Sequence, residues 1–456
     1  MDAKQGIVIE SGLWPGIVLQ RSAKGVSDAR ITGACRGRGP WRVRITRKGR
    51  ALPGITVSVS RVGGNRFQLR LKGVPCGGPY RVELAAGASV LAVDEVYVGD
   101  VWLLGGQSNM EGLGFLRDAG RPHPMVRAFT MDDRWGVARD PLHMLSIAVD
   151  PVHGGNPGGK PPAKLVKGVG PGLYFGIDMW KRTGVPQGLI ACAHGGTSMA
   201  QWDPARRDEG GRSLYGAMVR RLRKNGGRVA GLLWYQGESD ANAETGPLYH
   251  DRMVNLIRAI RRDTGDARLP VAMVQISRVA GWLPDTEVAW NALQEAQRLL
   301  PLSVKRLHVV PAIDLTLDDG IHISGRCQKR LGRRLAEAMD VLRRGAKAGL
   351  PPITLRRVSA RVHPETGQNV LSFEFDHVRG SLRAGGRPLG FAALMPDGRD
   401  MVYDVQLHRN RVDVVIDVAS SENTSLAIHY GLGHNPACTI TDAGDRSLPA
   451  FGPLRV

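Results

Sequence analysis

The sequence predicts an α/β domain built on a parallel sheet with helices on both faces, flanked at each end by an antiparallel β-sandwich. Three observations predict it. In the middle of the 456-residue chain, short apolar runs alternate with amphipathic helical patterns, the order expected of a helix-wrapped parallel sheet. At both ends, apolar and polar residues alternate with period two, as strands with one buried face require. No unit recurs at a fixed period of roughly 20–50 residues, which excludes a solenoid. The expected domains are residues 1–95, 96–345 and 346–456.

In the first zone the alternation is plain in Trp41–Ile45, Ile55–Val59 and Phe67–Leu71, and Gly63-Gly64-Asn65 between two such runs predicts a hairpin turn. The central strands are expected at Val101–Leu104, Gly188–Ala193, Gly231–Tyr235, Val271–Gln275 and Leu307–Pro311. These are near-continuous apolar runs, as strands covered on both faces should be. Helices are expected at Gly172–Arg182, Ser213–Lys224, Leu248–Asp263, Val288–Leu299 and Gly325–Arg344. In the last, Leu331, Leu335, Met339 and Leu342 share one face. The Gly/Pro-rich stretch between Asp132 and Gly172 reads as a long loop over the active site. Alternation returns in Val370–Phe375 and Val412–Ile416.

Hydrophobic residues make up 42% of the chain, enough for a substantial core, and the low aromatic share of 5% leaves aliphatic side chains to fill it. The net charge is +20, but only 12 of the 62 basic residues are lysine and the arginines are spread from end to end. A nucleic-acid binder should concentrate its charge in a patch or stripe, so nucleic acid is not expected as a partner. The five cysteines are far apart and form no C-x-x-C pair, which leaves buried free thiols and no metal site as the expectation. No apolar run reaches the ~20 residues of a membrane span. The first residues lack a signal peptide's basic start and apolar stretch. A soluble protein is expected, with export possible only if a leader has been removed.

Four segments carry chemistry. In Gly99–Met110 an apolar strand runs into Gly105-Gly106-Gln107-Ser108-Asn109, which puts Ser108 at the carboxyl edge of the sheet, where open α/β sheets bind ligands. Ser108 there is a nucleophile if a base takes its proton. On position alone the stronger reading is a helix cap, the usual role of a serine at a strand-to-helix turn. In Leu317–Gly325, Asp319 and His322 are three residues apart before a long helix, so one turn can bring carboxylate to imidazole. Read structurally, the same segment is a cap made by Ser324 or Asp319. In Gly231–Asp240 the Gln236 amide is a candidate oxyanion donor, and Glu238 is placed to orient neighbours or touch substrate. In Ala193–Trp202, Gly195 and Gly196 permit close backbone approach and offer a further N–H. No cofactor or metal is needed to fill these roles.

The ordered set GQSNM, GGTSMAQW, WYQGES and DGIH resembles the sialate O-acetylesterase branch of the SGNH hydrolases, whose central domain is flavodoxin-like. The flanks agree, with Val18–Arg21 and Gly77–Tyr80 at one end and Tyr430–Leu432 and Leu448–Phe451 at the other. The resemblance implies Ser108 as nucleophile, His322 as general base and Asp319 as its orienter. Asp318 is the alternative orienter, set aside by the D-x-x-H spacing. It implies an oxyanion hole from the N–H of Ser108, a glycine of the 195–196 pair (Gly196 favoured) and Gln236, which replaces the asparagine of other SGNH enzymes. Gln107, Asn109, Glu238 and His194 are the candidate substrate contacts, with His194 a scaffold residue rather than a second base. The implied reaction is hydrolysis of acetyl esters on a carbohydrate. Acetylxylan or another polysaccharide is the alternative substrate. A non-catalytic sugar-binding protein on a hydrolase scaffold is the rival from another class.

Overall fold

The computed structural model describes residues 6–37, 39–281, 286–418 and 426–455. It is a mixed α/β protein whose chain divides into two compact units. One comprises residues 1–195, 201–233 and 256–269; the other comprises 196–200, 234–255 and 270–456.

The first unit opens with β1 (Ile7–Ser11), β2 (Val18–Gln20), β3 (Val26–Cys35), β4 (Trp41–Arg47), β5 (Arg50–Ala51), β6 (Thr56–Arg61), β7 (Arg66–Pro75), β8 (Gly77–Ala86) and β9 (Ser89–Gly106). An antiparallel sheet runs β1-β3-β7-β6, and β4 pairs with β8, which pairs with the first half of β9. Inward-facing residues of both layers, Ile31, Leu69 and Leu71 with Val82, Leu84 and Val96, close one buried core. The expected hairpin joins β6 to β7, with Gly63 and Gly64 at φ 92° and 53°, a region that side chains strain to occupy.

β9 is one strand of 18 residues that serves two purposes. Its first half is antiparallel to β8; its second half runs parallel to a strand of the helix-covered sheet, with Asp100–Leu104 opposite Gln187–Ala191. The expected boundary at 95/96 therefore falls inside a continuous strand. After β9 come α1 (Ser108–Glu111), β10 (Gly114–Phe115), β11 (Val126–Phe129), β12 (Trp135–Val137), β13 (Lys167–Val169), α2 (Pro171–Thr183), β14 (Gln187–Ala191) and α3 (Leu214–Lys224). The strand order is β12-β11-β14-β9, with β11 and β14 parallel and β12 antiparallel at the edge. Ser213 caps α3, its Oγ accepting from Gly216 N–H at 3.1 Å. The 132–172 stretch holds β12, β13 and short 3-10 turns at Leu145–Ile147 and Pro151–His153, so it carries more regular structure than its composition suggests.

Along β15 (Gly231–Tyr235) and α4 (Tyr249–Thr264) the chain passes between the units. The second unit holds β16 (Val271–Gln275), α5 (Glu287–Ser303), β17 (Leu307–Pro311) and α6 (Gly325–Arg344), with β16 and β17 parallel. α6 starts and stops where the 3.6-residue pattern does, with Ser324 at its N-cap. β18 (Thr354–Val362), β19 (Asn369–Asp376), β20 (Leu382–Arg383), β21 (Phe391–Leu394), β22 (Val402–Leu407), β23 (Arg411–Ile416), β24 (Ala427–Tyr430), β25 (Thr441–Asp442) and β26 (Phe451–Leu454) complete the chain. They form sheets β18-β19-β23-β22 and β21-β24-β26, whose apolar faces share a core containing Phe373, Val414, Phe391, Tyr430 and Phe451. All five cysteines are free thiols, and only Cys76 is not fully buried. Among the described residues no helix is long and apolar enough to cross a membrane.

Candidate active site

Ser108 is the first residue of α1, directly beyond the tip of β9. Gln107 stands at the N-cap position in extended backbone without a side-chain cap bond, and its carbonyl accepts from the N–H groups of Met110 and Glu111, both at 2.9 Å. The opening N–H groups of a helix have no partner within it, so the Ser108 amide is presented outward by construction. Ser108 is only 6% exposed, and Asn109 and Gln107 beside it are buried.

The tip of β14 lies against the tip of β9. Their ladder continues past the strand, with Cys192 N–H donating to Leu104 O at 2.9 Å and His194 N–H to Gly106 O at 3.0 Å. Arg221 is wholly buried behind them and supports the end of β14, its Nε donating to Ala191 O at 2.8 Å while Asp133 balances its charge. Gly195 then faces the serine: a Cβ added to it would sit 3.4 Å from Ser108 Cβ and 3.0 Å from Glu111 Oε2. A methyl there would press on the Glu111 oxygen and sit at ordinary contact distance from the serine. Gly195 donates its N–H to Glu111 Oε2 at 2.6 Å, so that N–H is already used. Gly196 follows in the left-handed region, exposed, at φ 68°.

His194 and His153 meet through their Nδ1 atoms at 3.1 Å, one donating and one accepting. Burial lowers both; His153 falls to about 3, with His194 adding to the effect. His143 is also pushed down by burial, to about 4, and its Nδ1 lies 3.0 Å from Glu111 O. Burial drives Glu111 the other way, up to about 7, partly offset by the Gly195 N–H. Burial thus keeps the three histidines neutral at pH 7, while Glu111 passes from neutral to charged around that pH. Sequence reading missed Glu111, His143 and His153. Nothing in M-E-G or the two isolated histidines signals a role until the fold gathers them.

In the second unit, the 316–324 turn holds His322 and Asp319. A bridge between Leu317 and Ile323 closes it, and Ser324 N–H donates to Thr316 O at 2.8 Å. Asp319 Oδ1 accepts from the N–H groups of Ile321 and His322 at 2.9 and 2.8 Å, while Oδ2 lies 2.7 Å from His322 Nδ1. The carboxylate therefore fixes both the turn and the ring, and leaves Nε2 as the nitrogen free of this pairing. Asp318 faces another way, accepting from Gly325 N–H at 2.9 Å at the start of α6. The spacing argument thus separates the two aspartates as the geometry does.

Gln236, at the end of β15, is fully buried. Its Nε2 donates to Thr197 O at 3.0 Å and to Asp240 Oδ2 at 2.6 Å. Two oxygens facing one amide atom identify it as the nitrogen, so both its hydrogens are engaged. Asp240, fully buried, also accepts from Met199 N–H at 2.7 Å. Glu238 is buried beside Tyr235, whose phenol rises well above its ordinary range through burial and then through that charge. Among the described residues no group of His, Cys, Asp and Glu is arranged to hold a metal ion.

Residues 98–341 match the family described as SASA, carbohydrate esterase, sialic acid-specific acetylesterase. A probable carbohydrate esterase of Arabidopsis thaliana is 32% identical over 261 residues, which span 52% of this chain and 89% of that protein. A solved carbohydrate acetylesterase from Xanthomonas citri shares the fold, with a TM-score of 0.73 at 22% identity over 98% of this chain and 99% of that one. The chain belongs to the SASA family of carbohydrate esterases.

Proposed function

We propose that this protein removes acetyl groups from carbohydrates, with sialate O-acetyl esters as its substrates, by a Ser108–His322–Asp319 mechanism. In this reading Ser108 Oγ attacks the acetyl carbonyl and His322 Nε2 takes its proton. The oxyanion is met by the N–H groups of Ser108 and Gly196. The Gly195 N–H is committed to Glu111, which favours its neighbour as donor. Gln236 joins them if it gives up one of its two present acceptors. The tetrahedral species collapses, His322 protonates the departing sugar alkoxide, and water then releases acetate from the acyl-serine. Gln107, Asn109, Glu238 and His194 are the proposed substrate contacts. Residues 96–345 form the catalytic domain in this reading, between β-sandwich domains at 1–95 and 346–456.

The observation that carries the reading is the Asp319–His322 pair at 2.7 Å, held by two further backbone bonds to the same carboxylate. Such a carboxylate selects the tautomer and stabilises the imidazolium formed during attack. Acetate release from p-nitrophenyl acetate, O-acetyl sialic acid and acetylxylan tests it. Release from the sialate ester is expected, and should be abolished in Ser108→Ala. Unchanged turnover in that variant overturns the mechanism, and faster release from acetylxylan overturns the substrate assignment.

A further inference from the structure

One partly buried acid has no part in the chemistry above. Glu111 closes the four-residue helix that Ser108 opens. A helix this short is not stable by itself, since nucleation costs more than one turn returns. Its far end is nevertheless tied to another segment of chain, because Glu111 Oε2 accepts from Gly195 N–H at 2.6 Å. That contact is close enough that a Cβ on Gly195 would lie 3.0 Å from the same oxygen and 3.4 Å from Ser108 Cβ. Serine, carboxylate and glycine turn are therefore packed as one unit.

We propose that Glu111 is a positioning residue that clamps the Gly195–Gly196 turn to the Ser108 helix. The inference rests on the serine-esterase reading. Its physics is a charge-assisted hydrogen bond to a backbone amide, roughly twice as strong as a neutral one. Taking the Gly195 N–H also decides which amide of the turn is left for the oxyanion. The next peptide, Gly196, is exposed and offers its own N–H from a left-handed turn that the clamp holds still. Losing the carboxylate leaves the Gly195 N–H unpaired and the turn unanchored. Displacement of about 1 Å in such a group costs on the order of 100-fold in rate. The groups that face Glu111 are His143, whose ring meets its carbonyl, and the His194–His153 pair next to Gly195; all three are kept neutral by burial. At pH 8 Glu111 is ionised, being raised only to about 7.

The test measures kcat and KM on p-nitrophenyl acetate at pH 8, with thermal melting, for the full chain and its Ser108→Ala, Glu111→Gln and Glu111→Ala variants. Glu111→Ala should lower kcat by about 10- to 100-fold with KM within about twofold, because the group acts on the transition state and not on substrate binding. Glu111→Gln keeps an oxygen that accepts from Gly195 and should recover most of that loss. A Glu111→Ala kcat equal to wild type, or equal losses in both variants, overturns the proposal. If Glu111→Ala does not fold, Gly195→Ala decides, since its new methyl presses on the same oxygen: kcat should fall, and an unchanged kcat overturns the clamp. Turnover surviving in Ser108→Ala, or absent from the wild type, defeats the esterase reading itself. An inactive Ser108→Ala beside a fully active Glu111→Ala defeats the clamp alone.

Discussion

Ser108 and His322 are held by different physics. The serine sits in a segment fixed by its backbone: a strand tip, the first turn of a helix, and a glycine packed against it. The histidine sits in a turn closed by a backbone bridge and braced by one side chain, Asp319, whose carboxylate accepts from two turn N–H groups and pairs with the ring. The surroundings differ too. Ser108 is 6% exposed, whereas the side chains of His322 and Asp319 are 17% and 29% exposed. In the proposed mechanism the hydroxyl that loses a proton is thus buried, and the imidazole that gains it keeps access to water. A single substitution should therefore remove the chemistry from the first region without loosening it, but loosen the second.

The largest effect expected is on the serine. Ser108→Ala should cut turnover by at least about 1,000-fold with an unchanged melting temperature, as loss of a triad nucleophile does. Acetate release and calorimetry check both halves. Next, Asp319→Asn should lower kcat by on the order of 10^2 to 10^4, through the wrong tautomer, and also lower the melting point, because a neutral amide oxygen accepts more weakly from the two turn N–H groups than the carboxylate does. A variant that loses activity without any change in melting would show the turn to be as self-supporting as the serine segment.

The buried titratable groups around Ser108 predict a pH effect on stability. His153 titrates at about 3 in the fold, against an ordinary value of 6.5. Between those values the unfolded chain binds a proton that the folded chain refuses, so this histidine removes stability as pH falls. Glu111 and Asp140, both raised to about 7 by burial, hold protons that the unfolded chain has lost, and act in the opposite sense. The two trends partly cancel in the wild type. Their separation appears in His153→Asn, which at pH 5 should be more stable relative to wild type than at pH 7, by about 2 kcal/mol. Urea melts at the two pH values measure it, and a pH-independent difference would show that His153 titrates in the fold as it does in the unfolded chain.

The smallest effect concerns Asp318. Its carboxylate caps Gly325 N–H, so Asp318→Ala should cost about 1 kcal/mol of stability, a typical cap value. Its loss of kcat should be far below that of Asp319→Asn. Comparable losses would mean that the two aspartates share the orienting role.

Much of this was legible in the residues. The five apolar strand segments and five long helices were visible because a strand covered on both faces is largely apolar, and α6 follows the helical period for 20 residues. The Asp319–His322 pair was visible because contact at three residues' spacing is local. Glu111 was not, because its significance comes from Gly195, 84 residues away. The same holds for His153, which meets His194 across 41 residues. The engagement of Gln236 by Thr197 and Asp240 was equally hidden, since an amide in a motif does not declare what its hydrogens are already bonded to. The continuity of β9 was not legible, because its first half alternates and its second is apolar throughout, so periodicity changes where the backbone does not.

That uninterrupted ribbon has a practical corollary. A shortened protein starting at residue 96 would be cut through hydrogen-bonded backbone, with Val96 and Val98 stripped of the neighbours that Tyr80 and Gly77 supply. The severed edge would expose apolar surface a few residues upstream of Ser108. Expression of the middle segment by itself should give aggregates, and workable fragments should begin no later than the start of the first layer.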